Sequence, residues 1–415
     1  MYNPSLEAAK ERVHQARQKL SQARSAYWPR LDLTHSASHA YLSDNDYQNS
    51  LETARRTNPF AEIDDEVETY QAGLRLTWTL FNGFERKFSN LSTRYGERHS
   101  MEAGSDTRRL LLSYVAASFY NALLARENIS IAEANMAFNQ RQLKEAIARH
   151  RAGTGSLSDV LNFEVRIHSA ETELLKARRT YEITKIGLAA FMGIPDTVLP
   201  PQMELALLEK ETPEELVLPD QQALIQYALE NRPDILQMNY ILRQAEANVG
   251  IARAGFYPTV ALSASIDGDR IADRRFERED FGETVMMSFS FNLFAGGYNR
   301  AKVREAEAIY REAERNLENV KISARSDAVS SFFELKSAQE QLVLERKNAD
   351  LVKQNRDLVE KEYIAGQTSL VRLNEAQRDL TTAQSRLVSA LVSMRLSWEN
   401  LKASTGEILI LFQDI

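Results

Sequence analysis

The chain contains the same pattern twice, and that duplication constrains its fold more than any local propensity. Arg24-Ser25-Ala26-Tyr27-Trp28-Pro29 resembles Arg253-Ala254-Gly255-Phe256-Tyr257-Pro258 at an offset of 229, and Asn3-Pro4-Ser5 resembles Arg232-Pro233-Asp234 at the same offset. Farther along, Leu80-Phe81-Asn82-Gly83 matches Leu293-Phe294-Ala295-Gly296, Ala152-Gly153 matches Ala365-Gly366, and Gly193 matches Gly406, each at an offset of 213. The distance from Gly83 to Gly153 equals that from Gly296 to Gly366, so this length is structurally constrained. The offset changes only between Pro29 and Phe81, which places a variable loop there.

Each copy reads as the same series of elements. A helix over residues 5–26 has its counterpart over 234–255, where Pro233 suits a first helical turn. Two short strands follow. Over 70–80, Ala72, Leu74, Leu76, Trp78 and Leu80 share one face, and Gln71, Arg75, Thr77 and Thr79 share the other. The copy sets Val285, Met287, Phe289, Phe291 and Leu293 against Ser288, Ser290 and Asn292. Partner strands are expected over 31–41 and 259–267. A period of two over about ten residues marks a strand with one apolar and one wet face.

Beyond Gly83 and Gly296 the pattern turns helical, with no proline up to the Ala-Gly turns at Gly153 and Gly366. At 1.5 Å per residue these helices are about 100 Å long, a length that points to coiled coil. Ala152-Gly153-Thr154-Gly155-Ser156 and Ala365-Gly366-Gln367-Thr368-Ser369 then reverse the chain. The expected organisation is a first repeat over 1–194, a linker and equatorial segment over 195–230, and a second repeat over 231–415. Within the first repeat we place a strand pair at 31–80, a long helix at 84–151, a tip turn at 152–158 and a return helix at 159–192. The second repeat carries the corresponding pieces at 259–294, 297–364, 365–369 and 370–405.

Composition supports this outline and excludes others. With 10 Pro and 16 Gly in 415 residues, the chain favours long uninterrupted helices over an all-β fold. No run of 18 apolar residues exists, which rules out a transmembrane helix but not a barrel of short alternating strands. A net charge of −7 argues against nucleic acid as a partner. The absence of cysteine excludes disulfides, thiol catalysis and cysteine metal sites from this sequence. No phosphate loop, nucleophile elbow or HExxH pattern is present. His35 and His39 share a strand face but stand about 13 Å apart, too far to chelate one metal. We therefore expect no enzyme activity, cofactor or metal site.

Four strands cannot close a barrel in lipid, because the smallest membrane barrels have eight and an open edge is not tolerated there. If the strands span a membrane, the chain must assemble, most simply as a closed ring. Two copies would enclose no useful pore, whereas three, with 12 strands, leave room for an aqueous lumen.

The motifs and their order resemble the TolC family of outer-membrane channel proteins over nearly the whole chain. The marks are Asn231-Arg232-Pro233-Asp234 opening a helix, Tyr257-Pro258 closing it, Leu293-Phe294-Ala295-Gly296-Gly297 after a strand, and the two Ala-Gly turns followed by Ser-Leu. The resemblance implies a mainly helical, internally duplicated chain. Its homotrimer would form a 12-stranded β-barrel in the outer membrane and a long α-helical barrel in the periplasm. It implies an export duct working with a periplasmic adaptor protein and an inner-membrane pump, ABC or proton-driven, in multidrug efflux or type I protein secretion. The second repeat has an approach segment over 219–230 that the first lacks, so a leader and a short mature stretch are expected ahead of Asn3.

In this family the helical turns form the periplasmic entrance and dock the adaptor. The resemblance assigns docking to Gly153, Ser156 and Leu157 and to Gly366, Ser369 and Leu370, with plain turn geometry and local packing as the alternative. The family's closed state is similar to a lock between an Asp after the first turn and a Tyr before the second, here Asp159 and Tyr363. A second lock partner, an arginine in the family, is Thr368 here. Glu375 matches an acidic position ringing the constriction, with Arg372 beside it, and a solvated helix face is the alternative for both. Three Glu375 side chains near a three-fold axis would repel one another and attract cations. The loops over 42–69 and 268–283 read as charged cell-surface loops. Residues Tyr27, Trp28, Phe256 and Tyr257 are candidates for an aromatic belt. A competing reading is a soluble coiled-coil scaffold or adaptor whose strands only form a capping sheet.

Overall fold

The computed structural model describes residues 3–200, 203 and 205–412. Residues 1–2, 201–202, 204 and 413–415, which fall within the repeat and linker boundaries above, lie outside the described residues. In chain order the elements are α1 (Pro4–Ser25), β1 (Arg30–Tyr41), α2 (Asp44–Thr57), β2 (Glu66–Asn82), α3 (Glu85–Arg151), α4 (Leu157–Phe191), α5 (Gln221–Asn231), α6 (Pro233–Arg253), β3 (Thr259–Ile271), β4 (Phe281–Ser290), α7 (Tyr298–Ile364) and α8 (Leu370–Thr405). The fold is mainly helical, with one antiparallel sheet in the order β1-β2-β3-β4. Among the described residues, no helix is long and apolar enough to cross a membrane.

The chain divides into two units, and the division cuts across the repeats, so that each unit draws on both. One unit, residues 15–97 and 240–314, carries the sheet. Directly opposed residues of an antiparallel ladder share a face. Leu31, Leu76, Ala264 and Val285 therefore form one apolar row across all four strands. Asp32, Arg75, Ser265 and Thr284 form the next row, on the polar face. The apolar face is bare: Leu33 is 79% exposed and Val285 76%.

Two expectations are corrected in this unit. The alternation over 285–293 predicts a strand to Leu293, but β4 ends at Ser290, opposite Thr259. The ladder stops there because the partner strand is preceded by Pro258, which has no N–H to offer. The loop over 42–69 holds α2. Ser43 caps it by accepting a hydrogen bond from the Asp46 N–H at 3.2 Å, and Leu51 is buried.

The other unit, residues 1–14, 98–239 and 315–415, holds most of the long helices. Near the turns, Phe138, Val160, Phe163, Val359, Tyr363 and Leu373 form a buried cluster from α3, α4, α7 and α8. A second cluster joins Leu342 of α7 to Leu391 and Met394 of α8, and Leu208 and Leu216 of the linker pack against it. Glu215 pins the linker there. Its carbonyl accepts from Gln339 Nε2 (2.8 Å) and Trp398 Nε1 (2.9 Å), and its carboxylate pairs with Arg395 at 3.0 Å.

Candidate functional site

The site begins with how two 67-residue helices end. At the close of α3, the Gly153 N–H donates to the His150 carbonyl at 3.0 Å, and Thr154 N–H reaches back to Arg149 at 3.0 Å. At the close of α7, Gly366 N–H donates to Tyr363 (3.0 Å) and Gln367 N–H to Glu362 (2.8 Å). This paired pattern needs a left-handed residue just past the helix. Both glycines have φ of +73°, and a Cβ on either would meet no atom within 4 Å. The glycine requirement is thus in the backbone conformation, not in space.

The return helices start with serine caps. Ser156 accepts from Ser158 N–H at 3.0 Å, and Ser369 from Arg372 N–H at 3.4 Å. The two equivalent leucines part company in their surroundings: Leu157 is 55% exposed, whereas Leu370 packs half-buried against the cluster containing Phe163 and Tyr363.

Asp159 lies in the first turn of α4, and Tyr363 lies in the last turn of α7, 8% exposed. The Tyr363 hydroxyl donates to Asp159 Oδ2 across 3.5 Å, a long bond, and the Arg149 guanidinium sits 5.1 Å from the centre of the same ring. Burial and then the Asp159 charge raise the Tyr363 hydroxyl above its ordinary pKa, against the opposing pull of Arg149. The structure thus brings Asp159 and Tyr363 together. Arg372 and Glu375 are both exposed, three residues apart on α8, and neither is in an ion pair among the described residues.

Beneath them lie buried amides that no sequence motif marks. Asn374, buried beside Glu375, donates to Asn162 Oδ1 at 3.1 Å. Gln377 donates to Asn135 Oδ1 at 3.1 Å, and Gln142 to Glu360 Oε1 at 2.9 Å. These amides tie α3, α4, α7 and α8 together in pairs through the tip-proximal core. Their signal in sequence is a polar residue at a core position of the helical pattern. Arg149 carries no local signal, because its partner is a ring on a helix more than two hundred residues away.

Comparisons with known proteins bear on the family and the fold. The family model described as outer membrane efflux protein matches residues 2–194 and 224–407. The pyoverdine export outer membrane protein OpmQ of Pseudomonas aeruginosa is 28% identical over 408 residues, covering 97% of this chain and 80% of that protein. TolC of Escherichia coli is 22% identical over 98% of this chain and 80% of its own length. Among solved structures, the outer membrane channel CmeC of Campylobacter jejuni superposes with a TM-score of 0.80 at 18% identity, covering 98% of this chain and 83% of that chain. The comparisons lend nothing to the soluble-scaffold alternative. This chain belongs to the outer membrane efflux protein family.

Proposed function

We propose that three copies of this chain close a 12-stranded barrel in the outer membrane and continue into the periplasm as a helical barrel. That duct works with a periplasmic adaptor and an inner-membrane pump, ABC or proton-driven, and passes small molecules or unfolded polypeptides outward. The observation that carries this reading is the bare, two-edged sheet. An apolar face on β1 to β4 belongs against lipid, and the free edges of β1 and β4 must pair with neighbouring copies, because lipid satisfies no backbone group.

The helices offer matching seams. Leu344, Leu351 and Leu358 stand exposed on α7 at intervals of seven, and Leu161, Val165 and Leu175 stand exposed on α4. Heptad spacing of this kind seats a helix from another chain, and two different seams suit the head-to-tail contacts of a closed ring. A passive duct needs no cofactor, and we assign the chain no enzymatic step.

At the tip, Asp159 and Tyr363 are the candidate lock, and Glu375 with Arg372 the candidate ring around the opening. Gly153, Ser156, Leu157, Gly366, Ser369 and Leu370 form the proposed adaptor-docking surface, with Leu157 the more accessible of the two leucines. Planar-bilayer recording tests the duct. Discrete conductance steps from the purified trimer support it, and a protein that inserts without conducting contradicts it.

A further inference from the structure

A cleft of about 600 Å³ lies in the sheet-bearing unit, between the start of α3, the end of α6 and the early turns of α7. Neither the tip nor the seams account for it. Its walls carry four aromatic rings (Phe84, Phe88, Tyr257 and Tyr310) and four charges, Lys87 and Arg253 against Glu246 and Glu307. The charges cancel in sum but not in place. Arg253 pairs with Glu307 Oε1 at 3.2 Å, and Glu246 Oε2 pairs with Arg243 at 3.2 Å. Lys87 is exposed and is in no ion pair among the described residues, with its ammonium 5.9 Å from the centre of the Phe88 ring. The second oxygens of Glu246 and Glu307 likewise have no protein partner among the described residues.

The walls are built closely. Gly250 lets the Phe88 ring lie against α6, because a Cβ there would fall 2.4 Å from the ring. Phe84 holds φ of +68°, a conformation that L side chains adopt at a cost. The equivalent residue of the other repeat is Gly297, with φ of +89°. Phenylalanine therefore stands where glycine fits without strain, and its ring stands edge-on to Tyr257 at 5.7 Å.

Position supplies the class of ligand. Phe84 follows β2 by two residues, and Tyr257 precedes β3 by two. The aromatic mouth of the cleft thus lies where the strands leave the hydrocarbon layer, and the charges lie farther along the helices, at headgroup depth and beyond.

We propose that this cleft holds one zwitterionic phospholipid per chain, with its phosphate on Lys87, its ammonium between Glu246 and Glu307, and its acyl chains passing over Phe84 and Tyr257. With Lys87 unpaired and one oxygen of each carboxylate free, the cleft offers a zwitterionic headgroup a partner for each of its charges, whereas an anionic headgroup would use Lys87 alone.

Native mass spectrometry of the delipidated assembly tests this, titrating phosphatidylethanolamine, phosphatidylglycerol and, separately, soluble glycerophosphoethanolamine. The expected result is saturation at one phosphatidylethanolamine per chain, in preference to phosphatidylglycerol. Lys87→Ala should weaken it about tenfold, the loss of one charge-assisted hydrogen bond. Lys321→Ala, an exposed α7 cation in the other unit, should leave it unchanged. Glu307→Gln should erase the preference between the two lipids. Circular dichroism and detergent mass confirm that the variants fold and assemble. Equal binding by Lys87→Ala and the parent protein, or binding of the soluble headgroup as tight as that of the lipid, would overturn the proposal.

Discussion

The side-chain amide of Asn3 donates to the carbonyl of Phe191 at 2.8 Å. Its counterpart in the other repeat, Arg232, donates to the carbonyl of Ser404 at 2.9 Å. Phe191 and Ser404 are themselves equivalent, each at the end of a return helix, where carbonyls have no partner within the helix. The two repeats solve one problem with different chemistry. In the first, the amide is neutral and Phe191 stacks on Tyr114 at 5.8 Å. In the second, the guanidinium is 5% exposed and also pairs with Asp234 (2.7 Å) and Asp327 (3.0 Å), while Arg109 donates to the adjacent Ala403 carbonyl at 2.8 Å. Cations here also oppose the negative end of the α8 dipole.

Truncating the two caps should therefore have unequal effects. Arg232→Ala takes the guanidinium away from Asp234, from the half-exposed Asp327 and from the Ser404 carbonyl, and should cost about 3 kcal/mol. Asn3→Ala removes two neutral bonds, the one to Phe191 and the one its Oδ1 accepts from the Ser5 N–H at 2.8 Å, and should cost about 1–2 kcal/mol. Denaturant melts of both variants in detergent check the ratio, and equal losses would contradict it.

Acid should weaken the same cluster. Burial alone would raise the Asp234 carboxyl, but the hydrogen bond and charge of Arg232, with Arg109 behind it, hold it below its ordinary value of 3.8. A lowered carboxylate stabilises the fold fully above the unfolded value and loses that contribution as pH falls through the folded one. The melting temperature should hold from pH 7 to pH 5 and drop below pH 3.8. Asp234→Asn, less stable throughout, should show a shallower drop over that interval.

The tip turns yield a third test. Gly153→Ala and Gly366→Ala add a methyl to open space, so any loss comes from the left-handed backbone alone, about 1–2 kcal/mol each. Hydrogen exchange should show faster opening at the altered turn and none at the other.

Much of this was legible because the repeat multiplies the evidence. The strand alternation around Leu74 and Leu76 recurs around Val285 and Met287, and equal spacing between paired glycines marks the long helices. The helix α2 was not legible in that way. It has no helical counterpart in the second repeat, and its apolar stripe is only Tyr47, Leu51 and Ala54, too short to stand out among polar residues. Its Ser43-x-x-Asp46 cap was the available signal. Phe84 in a left-handed turn also ran against local expectation, which favours glycine there. The role of Arg232 depended on contacts with Asp327 and Ser404, which no local pattern reports.

For the candidate lock, Asp159→Ala and Tyr363→Ala should each raise single-channel conductance. Because the Tyr363 hydroxyl is raised above 10.0, its neutral form supports the closed tip fully below pH 10 and is lost as pH rises past the folded value. Conductance should therefore rise only in strong alkali, and Tyr363→Phe should remove that rise. Unchanged conductance in both alanine variants removes the pair from the gate.

The α7 seam admits a simpler test. Leu351 is 65% exposed in the single chain but buried in the proposed ring. Leu351→Glu should lower the assembled fraction in detergent, whereas the same change at exposed Lys353, on the opposite side of α7, should not.

The most direct measurement is the molar mass of the purified protein in detergent, by light scattering with the detergent contribution subtracted. About three times the 47.2 kDa chain is expected, with precipitation once detergent is removed. A monomer or dimer that stays in solution without detergent would contradict the proposed trimer.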